Sequence, residues 1–141
     1  MDTPPDELLA PVEPPAELLS LLVTLFQRRR EGVFPRQATA QIGEWRPQPH
    51  CCYKNCDEWV RFNPNDKRVD GFTYFNFQLF GFVKFTPHAV IEVEDGTLVD
   101  ITPHGSLDPH PFIRHIGSPE EFLAMQEAAH VGRNGVDFML R

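Results

Sequence analysis

From Pro87 to Pro103 the chain reads as two alternating apolar runs on either side of Glu94, Asp95 and Gly96, and this stretch limits the fold more tightly than any other. Ala89, Ile91 and Val93 alternate before the turn, and Val99 and Ile101 alternate after it, the period of two expected of half-buried strands. With Gly96 in the left-handed position of a three-residue loop, Val93 pairs with Thr97, Ile91 faces Val99 and Ala89 faces Ile101. A slip by one residue would turn the whole apolar set to the other face, so the pattern itself selects this register. On the second face Val90 then lies opposite Asp100 and His88 opposite Thr102. His88 and Asp100 become diagonal cross-strand neighbours, with Cβ atoms roughly 7–8 Å apart.

Other elements can be read around this hairpin. Residues 1–15 hold Pro4, Pro5, Pro11, Pro14 and Pro15 among acidic side chains and predict an extended lead-in. Residues 16–141 form a single domain. Ala16 to Glu31 predicts a helix with Leu18, Leu19, Leu22, Leu25 and Phe26 on one face, closed by Gly32. Arg28, Arg29 and Arg30 complement the negative end of its dipole. Residues 33–50 read as loop, Cys52 to Phe62 as a helix with Trp59, Val60 and Phe62 as its apolar contacts, and Phe72 to Phe85 as aromatic-rich strands broken at Phe80 and Gly81. His104 to His115 reads as loop. Ser118, Pro119 and Glu121 carry the signature of a capping box before a helix that runs to about Val131. The expected class is α+β, an antiparallel sheet with flanking helices.

A chain of 141 residues that is 41% apolar can bury a core without disulfides. A net charge of −7 disfavours nucleic acid or an anionic membrane as partner, since both need a basic footprint. The longest apolar stretch, over residues 18–26, is far short of the roughly 20 residues a membrane span needs. The acidic, proline-rich start lacks the pattern of a signal peptide. Cys51, Cys52 and Cys56 make a poor disulfide framework, so the expected setting is reducing and cytoplasmic.

The same three cysteines carry the chemistry. Cys52 follows a proline-containing loop and opens a helix, where unsatisfied backbone N–H groups can hold an oxyanion. A helix N-terminus and a neighbouring imidazolium both favour the thiolate form of a cysteine. His88 is then the base that takes the thiol proton, and Asp100 the group that holds the imidazole in its working tautomer. Asn55, one turn after Cys52, can bond either the preceding loop or a substrate. Cys51 is a rival for the nucleophile, and helix phase favours Cys52.

Cys-x-x-Asn on a helix, an aromatic strand, then His-Ala-Val and Leu-Val-Asp-x-Thr-Pro resemble a group of small bacterial and phage proteins, over about residues 50–104. Their Cys, His and Asp order is similar to that of papain-like and transglutaminase-like cysteine hydrolases. The resemblance implies a papain-like or transglutaminase-like core, with Cys52 as nucleophile, His88 as base and Asp100 as orienter. The sequence departs from the pattern at Tyr53, where the group has His, and at Gly71-Phe72, where it has Gly-Trp.

The expectation is therefore a thiol-dependent amide hydrolase or acyl-transfer enzyme acting on a protein or peptide, with no cofactor and no metal. A non-catalytic binding module on the same core is the alternative. A zinc site built from His50, Cys51, Cys52 and Cys56 with His88 or His104 is the third reading. The absence of a Cys-x-x-Cys pair sets it last.

Overall fold

The computed structural model describes residues 11–103, 109–132 and 134–140. Most of the acidic lead-in, and the segment that contains His104, lie outside them. The described chain is mixed α+β: three α-helices and a six-stranded, mostly antiparallel sheet. The helices are α1 (Leu19–Gln27), α2 (Cys52–Phe62) and α3 (Pro119–Val131). The strands are β1 (Arg36–Gln37), β2 (Lys67–Phe77), β3 (Phe82–Glu92), β4 (Leu98–Asp100), β5 (Phe112–Arg114) and β6 (Val136–Met139). The order across the sheet is β1-β4-β3-β2-β5, with β6 also paired to β3. Only β1 and β4 run parallel among the paired strands.

The first helix is shorter than the sequence suggests. Its α-helical part is Leu19–Gln27, flanked by 3-10 turns at Ala16–Leu18 and Arg29–Glu31. Arg29 ends it by donating from its guanidinium to the Phe26 carbonyl at 2.8 Å while lying 4.0 Å over the Phe26 ring. Cation and carbonyl meet where the helix dipole is negative. At the other end of the chain α3 begins with the full capping box: Ser118 Oγ accepts from the Glu121 amide, and the Glu121 carboxylate accepts from the Ser118 amide.

β2 and β3 form the spine. They pair one to one from Lys67 opposite Glu92 to Phe77 opposite Phe82, around a turn that ends with Gly81 at φ 88°. Val83, Phe85, Ala89 and Ile91 project from β3 under the helices. Leu18, Leu22, Leu25, Phe122 and Met125 cover Phe72, Val83 and Phe85, and Cys52 and Cys56 of α2 cover Ala89, Ile91, Val99 and Ile101. The other sheet face holds a smaller cluster of Val90, Leu98 and Phe112. Phe62 is an exception to the apolar contacts expected of α2: it is 49% exposed and lies under the Arg61 guanidinium instead.

Three strands go beyond what the sequence pattern predicts. β1, β5 and β6 fall in segments that read as loop or carry no assignment, and each is two to four residues long. β5 depends on Gly71. A Cβ placed there would stand 2.3 Å from the Ile113 carbonyl oxygen and 2.5 Å from Phe112 Cζ, where β2 and β5 pair. Gly71→Ala is expected to lower stability by about 1–3 kcal/mol through overpacking, read as a lower urea midpoint with β5 amides exchanging faster.

Candidate active site

The hairpin that carries the expected base and orienter forms in the register read from its apolar pattern. Ile91 lies opposite Val99 and Glu92 opposite Leu98. Val93 donates its amide to the Thr97 carbonyl at 3.0 Å, and Gly96 takes the left-handed conformation with φ 90°. Asp95 Oδ1 accepts from the Thr97 amide at 2.9 Å, which explains the acidic residue in the turn.

On this frame His88 Nε2 and Asp100 Oδ2 stand 2.7 Å apart. Their side chains are 12% and 4% exposed. β4 pairs with β3 only at Ile91 and Glu92, and β6 only from Phe82 to Phe85. Between them, from Thr86 to Val90, that edge of β3 has no strand partner among the described residues, and His88 lies in the interval. The first turn of α2 packs beside it, Cys52 and Cys56 against Ala89 and Ile91. Cys52 is close enough to the His88 ring to favour its charged form. The edge of the imidazole also meets the Phe112 ring.

These neighbours decide the protonation of the imidazole. Burial alone would push His88 toward its neutral form; the hydrogen bonds and charges of Asp100 and Cys52 outweigh it and raise its pKa to about 9. His88 is therefore an imidazolium at neutral pH, between a carboxylate and a sulfur. The other buried thiol behaves in the opposite way. Burial first, then the charges of Cys52 and Asp100, push Cys56 far above the ordinary thiol range, and its side chain has no exposed surface. Cys52 retains 9%. Cys51 is the N-cap residue of α2, half-buried, and the thiol beside His88 is that of Cys52.

The approach to the helix reverses at His50, whose φ of 62° is the left-handed conformation rare for a side-chain-bearing residue. The first turn of α2 starts there. Among the described residues, the backbone N–H groups of Cys52, Tyr53 and Lys54 make no hydrogen bond, as the geometry of a helix start requires. They stand next to the thiol with donors to spare. Tyr53 follows Cys52 in the first turn of α2. Its ring packs edge-on to Phe122 and lies 5.0 Å from the Arg68 guanidinium. Burial and then the charge of Cys52 keep its phenol protonated.

Asn55 is 3% exposed, and its carboxamide is spent inside the protein. Oδ1 accepts from the Gln48 amide at 3.0 Å, and Nδ2 donates to the Gln48 carbonyl at 2.8 Å and to Thr102 Oγ1 at 3.0 Å. Of the two uses expected for Asn55, bonding the loop is the one the structure contains. Thr102 is the residue that sequence reasoning passes over. Its amide donates to Asp100 Oδ1 at 3.0 Å, a carboxylate bonding two residues onward. The Asp-x-Thr spacing is the signal that could reveal it. For the zinc reading, His50 is exposed, and among the described residues no three His, Cys, Asp or Glu side chains converge as ligands.

Comparison with known protein families, curated proteins and solved structures finds no match for this chain.

Proposed function

We propose that the chain is a thiol-dependent amide hydrolase or acyl-transfer enzyme with a papain-like or transglutaminase-like core. The observation that carries this reading is the 2.7 Å His88–Asp100 contact with Cys52 of α2 beside the same imidazole. A buried carboxylate on one ring nitrogen and a thiol beside the ring is the arrangement in which an imidazole can hold the thiol proton. Cys52 Sγ attacks the carbonyl of a peptide or side-chain amide, and the free N–H groups at the start of α2 receive the developing oxyanion. The His88 imidazolium then gives its proton to the departing amine, leaving a thioester on Cys52. Water or a second amine, deprotonated by His88, attacks that thioester and releases the thiol.

No cofactor is needed for these steps. Among the described residues no helix is long and apolar enough to cross a membrane, and the three cysteines are free, which suits the reducing cytoplasm this reading assumes. The alternative is a non-catalytic binding module on the same core, and the 9% exposure of Cys52 is what favours it.

Alkylation by iodoacetamide separates the two without a substrate. An ordinary thiol of pKa ~8.5 is about 3% thiolate at pH 7, so a base that holds the proton leaves room for an acceleration of about thirtyfold. Cys52 is expected to alkylate faster than Cys51 and Cys56 at pH 7, with each site read by mass spectrometry. His88→Ala should cost Cys52 most of that thirtyfold, and Asp100→Asn less, because it disturbs the orientation of the imidazole while leaving it present. Three similarly slow cysteines that ignore both substitutions would establish the binding module instead.

A further inference from the structure

Asn55 and Thr102 stand outside the relay, yet they join its two ends. Asp100 divides its oxygens, Oδ2 to His88 and Oδ1 to the Thr102 amide. Thr102 Oγ1 in turn accepts from Asn55 Nδ2, and Asn55 lies on α2 one turn after Cys52. The hydrogen bonds therefore run from imidazole to carboxylate, threonine and asparagine, and the asparagine lies on the helix that carries the thiol. Asn55 and Thr102 are 3% and 5% exposed, so water does not compete for these bonds.

We infer that Asn55 and Thr102 are positioning residues, whose mutual hydrogen bond locks the first turn of α2 against the end of β4 and so keeps the Asp100 carboxylate and the Cys52 thiol on the same imidazole. The need for such a lock follows from the topology. β4 is three residues long, only Leu98 and Val99 pair with β3, and Asp100 is its last residue. Its other neighbour, β1, supplies two residues. Asp100 pairs with Gln37, and its carbonyl accepts from the Ala38 amide at 3.1 Å, which fixes its backbone but leaves the direction of the carboxylate to side-chain partners. Among the described residues, the helix that carries the thiol has no backbone hydrogen bond to the sheet at this point. Asn55 ties both together, and its two bonds to Gln48 fix the loop that leads into Cys52 as well. The inference rests on the proposed enzymatic reading for its catalytic meaning.

Thr102→Val tests it in the full chain. Valine nearly keeps the shape of threonine and keeps the amide that Asp100 uses, and it removes the hydroxyl that Asn55 needs. Thr102→Ser restores the hydroxyl. The readouts are the His88 titration midpoint, followed by side-chain nitrogen NMR, and the rate of Cys52 alkylation by iodoacetamide against pH. Among the described residues, the groups facing this imidazole include Cys52 from α2 and Asp100 from β4, with Phe112 of β5 edge-on. Thr102→Val is expected to lower the midpoint by about one unit and to slow alkylation at pH 7 by about five- to tenfold. Thr102→Ser should return both to within about twofold of the parent. If Val is not tolerated at this position, Thr102→Ala removes the same hydroxyl with a smaller side chain. A midpoint that stays put in the variant, even with lower stability, makes the pair ordinary core and overturns the inference. Failure of the enzymatic reading looks different: Cys52 alkylation would ignore His88→Ala, whatever the midpoint does in Thr102→Val.

Discussion

Between pH 6.5 and pH 9 the protein is expected to lose roughly 3 kcal/mol of stability through one side chain, His88. The sign follows from where its proton is held. The folded-state pKa lies at about 9, above the ~6.5 of an unfolded chain, so folding favours the protonated form. That contribution is complete below pH ~6.5, declines as the pH rises toward 9, and is gone above it. About 2.5 pH units at 1.36 kcal/mol each gives the magnitude, and with the side chain 12% exposed, solvent screening removes little of it. Urea denaturation at half-unit pH steps measures the slope, and His88→Ala is the control that should flatten it. A wild-type curve as flat as the variant's would mean that Asp100 and Cys52 do not hold the imidazolium, and the relay would lose its electrostatic basis. Cys56, four residues further along the same helix, is sealed from solvent and pushed by burial far above the ordinary thiol range, so it is the less reactive of the two buried thiols.

The parts of this arrangement visible in the sequence are those with short-range causes. The hairpin register is legible because five apolar side chains alternate around a glycine turn, and with it the placing of His88 beside Asp100. The start of α2 at Cys52 and the capping box at Ser118 are legible for the same reason: a proline-rich approach, and a Ser, Pro and Glu at fixed offsets. What escapes is set by distant partners. β1, β5 and β6 are too short to show a period, and they exist because β4, β2 and β3 offer edges to pair with. Nothing local says that Cys52 meets a histidine 36 positions onward; chemical order and resemblance suggest that juxtaposition. Phe62 reads falsely as a core contact because the helix ends there and its last two residues, Arg61 and Phe62, are exposed while Trp59 and Val60 pack inward. Thr102 is hidden because its role depends on Asn55, a contact 47 residues apart.

The largest loss of stability is expected from Asp137→Ala, about 3–5 kcal/mol, although Asp137 takes no part in the His88–Asp100 pair. Lys84 and Asp137 sit directly opposite each other on β3 and β6, Nζ to Oδ1 at 2.9 Å, and they are 7% and 5% exposed. A lysine in the middle of a phenylalanine-rich strand looks out of place in the sequence, and its partner is 53 positions away. Both ions have already left water, so their attraction offsets a desolvation cost that each carries alone if the other is removed. Asp137 Oδ2 also accepts the Val12 amide at 2.9 Å, which fastens that segment to β6. Removing the carboxylate therefore strands a buried ammonium and a backbone donor together. The comparison that isolates the ionic part is the double replacement Lys84→Met with Asp137→Leu, in which no buried charge is left behind. It is expected to recover most of the loss, since well-packed apolar pairs often match a buried ion pair. Urea midpoints for Lys84→Met, Asp137→Leu and the double variant give the coupling directly. Single-site losses below about 1 kcal/mol would show that water reaches Lys84 and that β6 is held by its backbone pairing alone.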